Sequence, residues 1–330
     1  MKKILTVIAV ALLSVCLFAQ GANEAKTETA KLQTLNVAYM PNYASLCSVV
    51  AAMETGAFAE QGLEVKLVEF ADGPTIIAAM ESGSIDMGYI GAGAHKLCIN
   101  GRAQIFALSH VGNADAVIAL KSHGINSIAD LKGKKVGYAS GTSSESILKL
   151  ALESVGYTMN DIKAMEMDAS GIVSAMTSGS LDACATWSPS TFTITDAMGS
   201  DAITIADNMM FADKANSIAS WIVMSKYAKE NTDTLLKFTK ALYKGMDYRT
   251  ANVEQTCKWV AKAIAADYDK IYQQRGDAKW ITSEELVNMV KDGTVEKLYD
   301  VQKKAFGAAA NQDAKVADYV MFDNMLNAAK

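Results

Sequence analysis

Hydrophobic positions along the chain switch between two spacings, and the switch recurs at regular intervals. Leu35-Asn36-Val37-Ala38-Tyr39 is a short apolar run of strand type, after which Leu46, Val49, Val50 and Met53 share one face of a helix that closes at Gly56. Leu63 to Phe70 alternates as a second strand, Ala71-Asp72-Gly73-Pro74 turns it, and helical spacing returns at Ile76. Met87 to Ile90 predicts a third strand, Gly91 to Asn100 a helix, and Ile105–Leu108 and Ala116–Leu120 two further strands. The order then repeats: strand Lys135–Tyr138, helix Glu145–Val155, strand Lys163–Met167, a turn at Asp168–Gly171, a helix, and strand Ala183–Thr186 running into Trp187-Ser188-Pro189. Ala202–Ala206 and Ile218–Met224 read as strands, and Lys226–Lys330 reads as helical, with Thr282-Ser283 as a cap before Glu284-Glu285. Strands alternating with helices predict parallel βαβ units.

One stretch is stated twice. Ile76 to Met87 and Ile172 to Ala183 both run from helical apolar spacing into Ser-Gly-Ser, then an apolar residue and Asp, then a strand. Gly83 and Gly179 are expected in the left-handed conformation that closes a helix, and Asp86 and Asp182 are expected to fix the turn through neighbouring backbone groups. Met80 and Met176 belong to the core. A single copy would say little, but two copies imply two α/β lobes with a cleft between them.

A length of 330 residues exceeds what one core usually fills. The expected division is a discontinuous first lobe, 35–117 plus 222–330, and a second lobe, 118–221, with crossings near Asp115–Leu120 and Ile218–Met224. Met1-Lys2-Lys3 followed by apolar Ile4 to Val15 has the pattern of an export signal. Ala19-Gln20-Gly21 suits cleavage, giving a signal peptide of 1–21. Leu13-Ser14-Val15-Cys16 also resembles a lipoprotein site, with a signal to 15 and acylation of Cys16. Residues 22–34 form a polar leader. Either way the chain is expected in the periplasm, in the second case anchored by lipid. No later apolar run approaches bilayer length, and a net charge of −5 without a basic stripe argues against nucleic acid. Cys47, Cys98, Cys184 and Cys257 lie in apolar settings and read as buried thiols, with a disulfide left open.

In parallel α/β sheets, ligands bind where strand ends enter helices. The candidate loops supply Asn42 and Tyr43, Asp72, Gly91, Ala92 and Gly93, Ser140, Gly141, Thr142 and Ser143, and Trp187 and Ser188. These loops are rich in Gly, Ser, Thr and Ala and contain no Lys or Arg. Helix starts at Ser140–Ser144 and Gly91–Ala94 offer backbone N–H groups for a small oxyanion, or the hydroxyls merely cap helices. Trp187 is a cleft wall or ordinary core. Asp115 faces the cleft and pairs with a ligand cation, or is a solvated strand end. Asp72 and Asp168 occupy matching turns, which suits a structural role. Nothing suggests a catalytic triad, nucleophile elbow, P-loop, metal cluster or cofactor, so the chain reads as a non-enzyme.

Ala79-Met80-Glu81-Ser82-Gly83-Ser84-Ile85-Asp86, Gly91-Ala92-Gly93, Ile128 to Val136, and Gly179 to Ala183 leading to Trp187-Ser188-Pro189 resemble the substrate-binding proteins of ABC importers in the taurine, alkanesulfonate and nitrate group. The resemblance spans about Leu35 to Lys330. It implies a type II periplasmic binding fold, two lobes on a two-strand hinge, which closes on a small anionic ligand as a monomer and docks on a membrane permease. A sulfonate such as an alkanesulfonate or taurine leads; nitrate or bicarbonate, a thiamine-precursor pyrimidine, riboflavin, or enzymatic use of the fold are alternatives. Val111-Gly112-Asn113-Ala114-Asp115 matches the taurine binders, which also tend to carry an acid where this chain has Ala219. Asp115 is then the candidate partner for a ligand amine.

Overall fold

A computed structural model describes residues 31–330; the expected signal peptide, Cys16 and the leader up to residue 30 lie outside the described residues. The strands are β1 (Gln33–Tyr39), β2 (Leu63–Glu69), β3 (Met87–Ile90), β4 (Gln104–Gly112), β5 (Asp115–Leu120), β6 (Lys135–Tyr138), β7 (Lys163–Glu166), β8 (Ala183–Trp187), β9 (Ala202–Asp207), β10 (Ile218–Val223) and β11 (Ala278–Trp280). They form two sheets, ordered β11-β4-β10-β3-β1-β2 and β7-β6-β8-β5-β9. In each sheet three parallel strands meet one antiparallel strand: β10 beside β3 in the first, β5 beside β8 in the second. The expected architecture, two α/β lobes around a cleft, is the one observed.

The physical cause is legible in burial. Every residue of β3, β5 and β10 is buried, as expected for strands covered on both faces. Along β5 the faces alternate: Val117 and Ala119 join the core under the helix Ser143–Ser154, while Ile118 and Leu120 join the one containing Ile172 and Met176. The first sheet has one continuous core, in which Trp221 packs edge-on to Tyr89 and Phe238.

The repeated stretch does more than turn the chain. Gly83 and Gly179 have φ of 81° and 71°, as their position demands. Asp86 accepts the Asn36 N–H at 2.8 Å, and Asp182 accepts the Lys135 N–H at 2.7 Å. Their own N–H groups return bonds of 2.9 Å to the Asn36 and Lys135 carbonyls. Each Asp therefore clasps the neighbouring parallel strand, at Asn36 in the middle of β1 and at Lys135, the first residue of β6, where the sequence suggested only its own turn.

The C-terminal segment departs from its all-helical reading. The long helix Thr232–Ala251 lies on the helix Tyr43–Glu54, where Gly245 allows contact so close that a Cβ would stand 2.0 Å from the Ser48 carbonyl oxygen. Thr282 caps its helix reciprocally with Glu285, as expected. Between these helices, however, β11 pairs with β4 at the sheet edge. Three residues are too few to show alternation, so the hydrophobic pattern does not reveal it. The cysteines Cys47, Cys98, Cys184 and Cys257 are free and buried. No helix among the described residues is long and apolar enough to cross a membrane.

Candidate functional site

The chain passes between the sheets twice, from β4 to β5 through Asn113 and Ala114, and from β9 back to β10. At these crossings lies a cavity of about 70 Å³. By the volume a single water needs, that is room for roughly five waters, the scale of a small metabolite. Asn42, Asp72, Gly91, Ala92, Asp115, Thr142, Ser143, Trp187 and Ser188 line it, as do Tyr89, His110, Ser217, Ala219, Gln274 and Asp277, which the sequence did not single out as site residues.

Asp115 opens β5 directly opposite Trp187, the last residue of β8. Only 4% of it is exposed; its N–H donates to Asn208 Oδ1 at 2.9 Å and its carboxylate accepts from Ser217 Oγ at 3.2 Å. Burial raises its pKa above the usual carboxylate range, while the nearby Ser143, Asn208 and Ser217 side chains oppose the rise. Asp277 precedes β11, and its carbonyl accepts the Asn113 N–H at 2.5 Å. Burial pushes its carboxyl up to about 7; the Ser188 side chain works against this and the charge of Asp115 adds to it. Ser188 Oγ is buried without a hydrogen bond of good geometry, although its N–H donates to Ala114 O at 3.1 Å.

Asp72, the third acid of the lining, accepts from Thr75 N as a helix cap, and the rest of the wall is neutral. His110 is buried, with Nδ1 at 3.1 Å from Ser109 Oγ and Nε2 at 3.5 Å from the Tyr89 hydroxyl. Burial and the positive charge of Arg249 push its pKa down to about 3, so it is an uncharged imidazole. Arg249 lies behind this wall, its guanidinium donating to Ser109 O at 2.6 Å and to Cys47 Sγ at 3.2 Å, 5.3 Å from the centre of the Trp280 ring. No Lys or Arg lines the cavity itself.

The two helix starts expected to grip an oxyanion are arranged differently. Thr142 and Ser144 are occupied as caps: Thr142 Oγ1 accepts from Ser144 N at 3.2 Å and donates to Ala139 O at 2.7 Å, and Ser144 Oγ donates to Ala185 O at 2.7 Å. Glu145 takes the Gly141 N–H at 2.7 Å. Gly93 packs so tightly that a Cβ would stand 2.0 Å from the Thr142 carbonyl carbon. The helix starts thus meet backbone to backbone at Gly93 and Thr142, while Gly91, Ala92, Thr142 and Ser143 line the cavity beside that contact.

Four candidates fall outside the cavity lining. Tyr43 is fully buried, its ring edge-on to Trp280 at 5.1 Å, because it is the first residue of a helix whose start faces the core. Its N–H donates to Gln274 at 2.9 Å. Ser140 is exposed, on the outside of a turn made by Gly141 at φ 78°. Gly141 instead approaches Pro74, 3.1 Å from where its Cβ would be, and Gly93 is consumed in the contact with Thr142. Asp72 and Asp168 cap their helices, accepting from Thr75 N at 2.9 Å and Gly171 N at 2.7 Å, which agrees with the structural role expected of them. Ala219 does line the cavity, as does Asp277 from another element.

Comparison with known proteins gives a consistent picture. Residues 44–256 match the family described as NMT1/THI5 like. A protein of Brucella abortus described only as a binding protein is 35% identical over 79% of this chain and 81% of its own length. The taurine-binding periplasmic protein of Escherichia coli is 22% identical over 63% of this chain and 65% of its own. Among solved structures, the alkanesulfonate-binding protein of Xanthomonas axonopodis pv. citri bound to MOPS superposes with a TM-score of 0.66 at 18% identity, covering 88% of this chain and 99% of that one. The periplasmic nitrate-binding protein of Synechocystis PCC 6803 gives 0.73 at 12% identity over 91% and 89%. The desulfurization enzyme DSZB shares the fold as well, at 0.63 and 13% identity over 90% and 100%.

Proposed function

The chain belongs to the NMT1/THI5-like family, and on that premise we propose that it is a solute receptor for an ABC permease whose ligand presents a protonated or N–H-bearing nitrogen to Asp115. The observation that carries this is the lining of the cavity: the buried Asp115, the half-buried Asp277 and the helix-capping Asp72, and no Lys or Arg. A buried ammonium wants an anionic partner, and a buried carboxylate wants a cation or a set of donors. A plain anion would meet these acids in a small cavity. The amino-sulfonate taurine fits the reading best, because its amine would meet Asp115 and its short chain Trp187. An aminopyrimidine is the second fit, with its amino edge on Asp115 and its ring against Trp187 or Tyr89.

In this reading the lobes, 35–117 with 222–330 and 118–221, close on the ligand about the two crossing segments. The chain works outside the cytoplasmic membrane, as a monomer, and hands its ligand to the permease. Binding rather than chemistry is favoured by the wall itself: the ring nitrogens of His110 face Ser109 and Tyr89, so the imidazole is not set against a nucleophile in the cavity.

A thermal-shift and calorimetry panel of taurine, 4-aminopyrimidine, ethanesulfonate and nitrate tests the proposal. A true ligand at 100 times its Kd stabilises by about 2.7 kcal/mol. Taurine or 4-aminopyrimidine should give that shift while ethanesulfonate and nitrate leave Tm unmoved. A shift with ethanesulfonate or nitrate alone would overturn the reading.

A further inference from the structure

Asp115, buried, and Asp277, half-buried, line one small cavity, and like charges so placed do not both ionise readily. The structure also distinguishes them. Asp115 accepts from Ser217 Oγ at 3.2 Å and lies near the Asn208 and Ser143 side chains, all favouring its charged form. Asp277 spends its carbonyl on the Asn113 N–H, and its carboxyl has only the buried Ser188 hydroxyl for company. The other groups that line the cavity with the pair supply no positive charge, and Lys96, Lys149 and Lys304, on a second cavity that Asp115 also lines, are paired with Glu145 and Asp300. His110 and Tyr89 are neutral, and the Arg249 guanidinium is held behind the wall by the carbonyls of Ser109 and Ile281.

We propose that Asp277 is a specificity-determining residue that keeps a proton beside the charged Asp115. The pair then presents one negative charge and one acid donor, and selects a ligand with one cationic nitrogen and a hydrogen-bond acceptor beside it. This rests on the reading that Asp115 meets the ligand nitrogen. It adds what the second acid does: neutral Asp277 donates to the ligand acceptor, for taurine a sulfonate oxygen, whereas ionised Asp277 would repel that oxygen. A dication would find one charge where it needs two.

Infrared spectroscopy of the ligand-free chain tests the protonation directly, through the carbonyl stretch of an undissociated carboxylic acid. The wild-type chain should show this band at pH 6, and the band should fade as pH rises through about 7. Asp277→Asn should abolish it, and Asp115→Asn should keep it but move its loss to lower pH. No band at pH 6, or a band that survives Asp277→Asn and disappears in Asp115→Asn, would overturn the proposal. The ligand half is read by taurine calorimetry at pH 6 and pH 8. Wild-type affinity should fall about tenfold across that interval, one decade per unit above the acid's midpoint, while Asp277→Asn should show no such fall. An equal fall in both, or none in the wild type, would overturn it. If taurine does not bind at all, the functional reading fails while the infrared result still decides the state of Asp277.

Discussion

Ser217 Oγ donates to Asp115 Oδ2 at 3.2 Å, joining the segment that returns to the first sheet to the strand that opens the second. The Gly112 N–H donates to the Ser217 carbonyl in the same place, and the Asn113 N–H to Asp277 O at 2.5 Å. Both acids are therefore part of the joint between the two sheets. Removing the Ser217 hydroxyl leaves a buried carboxylate with one donor fewer. Ser217→Ala should lower the stability of the ligand-free chain by about 1.5–3 kcal/mol, the range for hydrogen bonds to charged groups. Urea unfolding measures it, and an unchanged midpoint would show the bond to be dispensable.

Gly93 and Thr142 form the tightest contact between the two helix starts. A methyl group there would stand 2.0 Å from Thr142 C and 2.4 Å from Ser143 N, so the backbones must separate. Gly93→Ala should hold the lobes apart, raise the radius of gyration in X-ray scattering, and weaken ligand binding at least tenfold, about 1.4 kcal/mol. Unchanged scattering and affinity would mean that the contact is not needed for closure.

The repeat makes a paired prediction. Gly83 and Gly179 both have positive φ, and nothing lies within 4 Å of an added Cβ at either. Each Gly→Ala change should then cost only its backbone strain, about 1–2 kcal/mol, and the two losses should agree. Urea unfolding of the two variants checks it; clearly unequal losses would show that the two turns are not equivalent.

Asp277 also predicts a pH dependence of stability. Its folded pKa, about 7, lies above the unfolded value, so between about pH 4 and 7 the folded chain binds more protons. Stability from this group is present at low pH and is lost as pH rises towards 7, by at most about 1.4 kcal/mol per pH unit. His110, held neutral down to about pH 3, contributes the opposite slope below its ordinary value, and Asp115 the same direction as Asp277. The difference between Asp277→Asn and the wild type removes the His110 contribution. The variant should gain on the wild type from pH 4 to 7 and run parallel to it above. Parallel curves throughout would contradict the shift.

Much of this was readable from periodicity. The repeated Ser-Gly-Ser-x-Asp turn announced two similar sheets, and Asp115 stood out because it precedes an apolar strand without a turn to cap. Asp277, His110 and Tyr89 escaped notice for physical reasons. Tyr89 and His110 sit inside strands and look like core until a topology sets them side by side. Asp277 follows Gly276 in a segment whose neighbours are helical, and the strand it introduces has three residues. Nothing in the local sequence says that residues 115 and 277 share a cavity; that follows only from the pairing of β11 with β4. Conversely, Tyr43, Gly93, Ser140 and Gly141 carried loop chemistry that the fold spends on packing, turning and lobe contact.

The most direct test is calorimetric titration of taurine and ethanesulfonate into the wild type and Asp115→Asn. Truncating one partner of a buried charge pair leaves the other unpaired, so taurine should lose about 2–5 kcal/mol in the variant. Ethanesulfonate, which has no amine to lose, should be unaffected or bind better. Equal losses for the two ligands, or full taurine affinity in Asp115→Asn, would contradict the account.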